Sequence, residues 1–167
     1  HEQRRAQVRL HESKKDYKRA TDVINEIPEA NRSVLDWVDL ARSHFNGAEA
    51  KTEGTSYQEA IRSIQEAKNK APDLLKGEFE RIENEYKACE AVAKAIENVN
   101  LKDINSINES LGLIEENIKT NPDVNLQIAR AKLLATKALF LAVKFSIKIW
   151  AARSASAAHL PCSCSKG

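Results

Sequence analysis

The 167-residue chain is long enough for one domain with a core, or for a short array of repeats, and too short for two independent enzyme domains. Its 42% hydrophobic and 30% charged residues, with only 5 glycines and 4 prolines, exclude a turn-rich sandwich or barrel and predict an all-α protein. Twenty-six basic against 24 acidic residues leave a formal charge of +2, which does not call for nucleic acid as a partner.

The first predicted element is a helix over residues 2–14, the start of a stretch holding Arg4, Arg5, Arg9, Lys14, Lys15, Lys18 and Arg19. A basic arm binds phosphates through counterion release. This one lacks an interleaved set of aromatic residues for stacking on bases, so a solvated helix face is the better account. The same stretch has no apolar segment of the signal-peptide kind. Methionine is absent even at position 1, as expected of a chain cut from a longer polypeptide.

Beyond it, Pro28, Pro72 and Pro122 each follow an amphipathic stretch and precede a longer one. Proline disfavours helical geometry in the residue before it but suits a first turn, so each should mark a corner with a new helix beyond. Three pairs of a short and a long helix result: 17–26 with 33–50, 57–70 with 74–98, and 104–119 with 124–152. The short helices carry apolar residues at helical spacing, as in Tyr17, Ala20, Ile24 and Ile27, or Ile104, Ile107, Leu111 and Ile114. Ser56 with Glu59 has the spacing of a capping box, and Ser33 or Asn31, Asp73, Asp103 and Asp123 are further N-cap candidates. Residues 46–56, bracketed by Gly47 and Gly54 without an apolar period, read as a flexible loop.

The starts at Tyr17, Tyr57 and Ile104 lie 40 and 47 positions apart, within the range of helical repeats. The second hairpin, with Tyr57, Ala60, Ala67 and Pro72, resembles helical hairpin repeats of the tetratricopeptide kind. Its spacing exceeds the family's 34 residues, and the long helices lack the family's Trp, Leu-Gly and Tyr positions. The resemblance implies a right-handed stack of antiparallel helices over residues 1–152 that offers a groove to a peptide or partner helix. An irregular helical bundle is the alternative fold.

Lys132 to Trp150 is the most apolar run. On a helical wheel, Arg130, Lys137, Lys144 and Lys148 form a narrow basic seam, and nearly everything else is apolar or small. A bilayer span would absorb three lysines at about 2.5–3.5 kcal/mol each, against nine Leu, Ile, Val and Phe residues returning about 0.3–0.6 each, so a transmembrane reading fails. Such a helix is expected to be the central stave of the C-terminal half, packed on 104–119 and 74–98 with its seam in water. Any uncovered remainder would serve a partner or a second copy. The alternative use is a peripheral membrane or pore-associated helix, with the aromatic residues dipping in and the lysines meeting anionic head groups.

Catalysis leaves little trace: the histidines stand apart, the glycines are scattered, and Glu78, Glu80, Glu83 and Glu85 alternate with Phe79, Ile82 and Tyr86 as on a half-buried helix. Cys89 reads as a small core residue. His159, Cys162 and Cys164 are too few for tetrahedral zinc, and residues 153–167 read as a flexible or appended tail. The cysteines imply no disulfide framework, so a reducing, cytoplasmic setting is expected. The chain therefore reads as a non-catalytic scaffold or protein-binding module with no cofactor and no metal. Its expected partner surface is Trp37 and Phe45 on 33–50, if exposed, with Arg42 on a neighbouring face, and Phe140, Ile147 and Trp150 on the last helix. Simple core packing competes for each tryptophan.

Overall fold

The computed structural model describes residues 2–97 and 99–158. Among them the chain forms α1 (Glu2–Ser13), α2 (Tyr17–Asn25), a 3-10 turn (Glu29–Asn31), α3 (Val34–Glu49), α4 (Tyr57–Lys70), α5 (Asp73–Glu97), α6 (Ile104–Thr120) and α7 (Val124–Ala157), with no strand. The all-α expectation holds. Pro28, Pro72 and Pro122 all lie in breaks between helices, where a ring without an N–H costs nothing. The last helix runs on to Ala157, past the expected end at 152, because no glycine or proline interrupts it. Residues 159–167, with His159, Cys162 and Cys164, lie outside the described residues.

Side chains set most of the helix starts. Ser33 Oγ accepts from the Asp36 N–H at 3.2 Å while the Asp36 carboxylate accepts from the Ser33 N–H at 2.8 Å, a reciprocal box that opens α3. At Ser56 the hydroxyl accepts from the Glu59 N–H at 3.1 Å, but the Glu59 carboxylate turns to Arg62 Nε, also at 3.1 Å. Asp103 and Asp123 cap α6 and α7 by accepting from the N–H two residues on.

The segment 46–56 is tied down rather than loose. Residues 46–49 belong to α3, the Thr52 N–H donates to the Gly47 carbonyl at 2.8 Å, and the Thr55 hydroxyl donates to the Thr52 carbonyl at 2.6 Å. A Cβ on Gly47 would lie 2.4 Å from Thr55 Cγ2, so glycine is required by close approach. Gly54, at φ +79°, supplies the left-handed turn.

Each helix packs on its neighbour in sequence, with α1 also touching α3 and α5 also touching α7. Two apolar cores result. The first gathers Ile24, Trp37, Leu40, Ile64, Phe79 and Tyr86 from α2 to α5; the second gathers Ala88, Ile107, Ile114, Leu126 and Leu133 from α5 to α7. Helix α5 therefore serves both, its N-terminal half in the first and its C-terminal half in the second. The α6–α7 corner is fastened to it where Asn121 Nδ2 donates to the Asn84 carbonyl at 2.7 Å.

Midway along α5, Glu83 is buried against α4 and accepts from Lys68 at 2.7 Å, Lys87 at 2.6 Å and Gln65 at 2.8 Å. Burial alone raises its pKa, but these three donors outweigh it and bring it down to about 2. A carboxyl depressed in the folded state lends stability that is present above its ordinary value of 4.5 and is lost as the pH falls toward 2. Glu83→Gln should lower the unfolding free energy at neutral pH by about 1–3 kcal/mol and flatten the acid limb between those values. Urea titrations across that window measure both.

Candidate functional site

Helix α3 does not form the expected partner surface. Trp37 is only 2% exposed, and its ring is covered by Arg32 at 4.7 Å, Arg62 at 5.6 Å and Lys70 at 5.8 Å. Its place four residues into an amphipathic helix puts it on the core side, where a large apolar ring gains most from leaving water. Phe45 is half-buried, stacked on Tyr86 at 4.2 Å and meeting Tyr57 edge-on at 5.8 Å, so it joins α3 to α4 and α5. Arg42 reaches Glu12 through Nε at 3.1 Å and Nη2 at 3.0 Å, and Asp39 at 2.9 Å. It clamps α1 to α3, with Ser43 adding a 2.8 Å bond to Glu12. The basic N-terminal arm is partly spent in the same way, as Arg5 pairs with Asp39 and Lys18 with Asp22.

Displaced titrations mark packing sites too. Burial pushes the Cys89 thiol up to about 11, so it stays protonated at neutral pH, with Asn125 Nδ2 at 4.0 Å from its sulfur. Burial lowers the pKa of His44 and raises that of Tyr86 to about 12. Among the described residues, no group of three His, Cys, Asp or Glu side chains could hold a metal ion.

Helix α7 is a stave for only its first third. Leu126, Ala129 and Leu133 enter the second core; Thr136, Lys137 and Phe140 are half-buried; every residue from 141 to 158 is exposed. The expected central stave is thus corrected: α7, 34 residues long, runs back along an α6 of 17 and meets α5 near its start, so its distal half outruns both helices, with Leu101 of the α5–α6 connection beside it at Phe140 to Ile147. The 17 residues of that distal half extend about 25 Å. Phe145 is 65% and Trp150 71% exposed, alongside exposed Leu139, Ile147 and Ile149. Each forgoes roughly 1.5–3 kcal/mol that burial would return.

The seam is in water, as expected, at the exposed Arg130, Lys144 and Lys148, although it shares the bundle's side of α7. Taking Leu133 as the direction of the bundle, Lys137, Lys144, Arg130 and Lys148 fall within about 20–60° of it at about 100° per residue. Arg130 Nε accordingly meets Glu115 of α6 at 3.2 Å, and Lys137 is half-buried. These four cations lie on the bundle side together with Phe140 and Ile147, while Leu134, Leu139, Phe145, Ile149 and Trp150 face away.

Of the anticipated surface residues, Ile147 and Trp150 are exposed and Phe140 is half-covered. Phe140 and Ile147, with Val143 and Lys144, wall a concavity of about 490 Å³ closed on its far side by Leu101. Leu101 gave no sequence signal, lying with Val99 in a short α5–α6 connection that has no helical period. No family model matches the chain, and neither a curated protein nor a solved structure matches it.

The boundary between packed and unpacked α7 should be visible in stability. Leu133→Ala is expected to cost about 2–5 kcal/mol, as for a buried leucine, whereas Phe145→Ala should stay within about 0.5 kcal/mol of the parent chain. Chemical denaturation of the two variants side by side provides the measurement.

Proposed function

We propose that the protein is a non-catalytic scaffold or binding module: a bundle of short-and-long helix pairs, built as tetratricopeptide-like hairpins, that presents the distal half of α7 to a partner. The carrying observation is the contiguous exposed apolar length from Leu139 to Trp150 on an otherwise well-packed chain. Large apolar patches on a folded protein mark interaction sites. Support for the hairpin reading comes from the order of packing, in which each helix meets the next in sequence.

Aromatic anchors dominate such surfaces, and Phe145 and Trp150 are the largest side chains on this one. The full chain should therefore bind an apolar dye and retain a partner from source extract, and Phe145→Ser with Trp150→Ser should lose both while unfolding at the parent's temperature. Equal dye binding and equal retention by parent and variant would remove α7 from the binding role.

The second reading, a peripheral membrane module, draws on the charge of the same helix. No helix among the described residues is long and apolar enough to cross a membrane, which leaves an in-plane arrangement as the form this reading takes.

A further inference from the structure

We infer that the outward face of α7 docks in the plane of an anionic lipid bilayer, with the helical bundle held on the water side. This rests on the partner-surface reading of α7 and names the occupant.

The first argument is the width of the apolar arc. Measured from the bundle direction at Leu133, Leu141 and Val143 lie about 80° to either side, so the arc facing away from the bundle spans about 200° of the helix. From Leu133 to Ala152 that arc carries no charge and Ser146 is its one polar side chain, while Lys132 and Arg153 stand on the arc just beyond its two ends. A helix that packs on a single neighbour needs a stripe only about 100° wide. A second copy of α7 would leave half of this arc in water. The acyl boundary of a bilayer covers all of it, because lipid conforms to the helix.

The second argument is charge. From Val124 to Ala157 the helix carries six cations, Arg130, Lys132, Lys137, Lys144, Lys148 and Arg153, and no carboxylate. Among the described residues Arg130 is paired, with Glu115. An anionic leaflet attracts such a helix, and lysine stems lie along apolar surface while their ammonium groups reach the head groups.

The third argument is steric. Because the seam and the bundle share one side of distal α7, a flat surface can approach the opposite side from Leu141 to Ile149, beyond the stretch that packs on α5 and α6. A narrow cationic strip above a wide apolar arc sets the helix axis deep in the interface, with Trp150 and Phe145 among the acyl chains.

The test uses the full chain with vesicles of phosphatidylcholine alone and of phosphatidylcholine with phosphatidylserine. Co-sedimentation is expected with the serine lipid, weakened by salt, together with a blue shift of tryptophan emission that reports Trp150, since Trp37 is already buried. Lys137→Gln with Lys144→Gln and Lys148→Gln should weaken partitioning on the order of a hundred-fold. Phe145→Ser with Ile149→Ser should abolish it, and circular-dichroism melts confirm that both variants fold. Equal binding to the two vesicle types, or none to either, overturns the proposal. If the chain ignores vesicles yet binds an apolar dye or self-associates in light scattering, the membrane is refuted and the partner surface stands. A monomer that binds neither vesicle nor dye refutes both readings.

Discussion

Two apolar cores share one helix, and that sharing organises the molecule. Phe79 and Tyr86 commit the first half of α5 to the N-terminal core, and Ala88 and Ala95 commit its second half to the C-terminal one. At 25 residues α5 is long enough to span both. Along α5 the buried residues change from Phe79 and Tyr86, whose rings fill the space against α3 and α4, to alanines that pack beside Ile107, Ile114 and Leu126. Glu83, held by Lys68, Lys87 and Gln65, sits near the changeover and fastens α5 to α4.

The two cores differ in how polar groups support them. Around the first, Arg42, Glu12, Asp39 and Arg5 form a connected network across α1 and α3. Trp37 fills the interior beneath Arg32, Arg62 and Lys70. A network in which each carboxylate has more than one donor loses less side-chain entropy per bond than isolated surface pairs do. Among the described residues, the second core has the Arg130–Glu115 pair and the Asn121–Asn84 and Asn125–Cys89 contacts at its edge, and its interior gathers apolar side chains. Helix α7 thus joins the bundle through a short apolar stripe, and its distal half adds little to that attachment.

That asymmetry gives the distal half its meaning. Without a glycine or proline to interrupt it, a helix whose first turns are anchored propagates one hydrogen bond per residue beyond its last neighbour. Asp123 caps it, Leu126, Ala129 and Leu133 anchor it, and the remaining turns propagate outward. What results is a rod whose polar strip faces back toward the bundle and whose apolar arc faces out. A core helix has the reverse orientation, and this inversion is why the exposed surface invites an external apolar phase.

Much of the fold was legible in the sequence because its signals are local. Helix starts follow from Ser33, Ser56, Asp103 and Asp123, whose side chains reach amides two or three residues away, and the corners follow from Pro28, Pro72 and Pro122. The apolar girth of α7 and its seam of Arg130, Lys137, Lys144 and Lys148 are equally a matter of spacing along one helix. Tertiary structure alone decided which way that seam points, that Trp37 and Phe45 are interior while Trp150 is not, and that Leu101 walls a groove. Periodicity defines a face without saying what lies opposite it; that depends on how far neighbouring helices reach, and α6, with 17 residues against the 34 of α7 that runs back along it, is too short to cover the distal half.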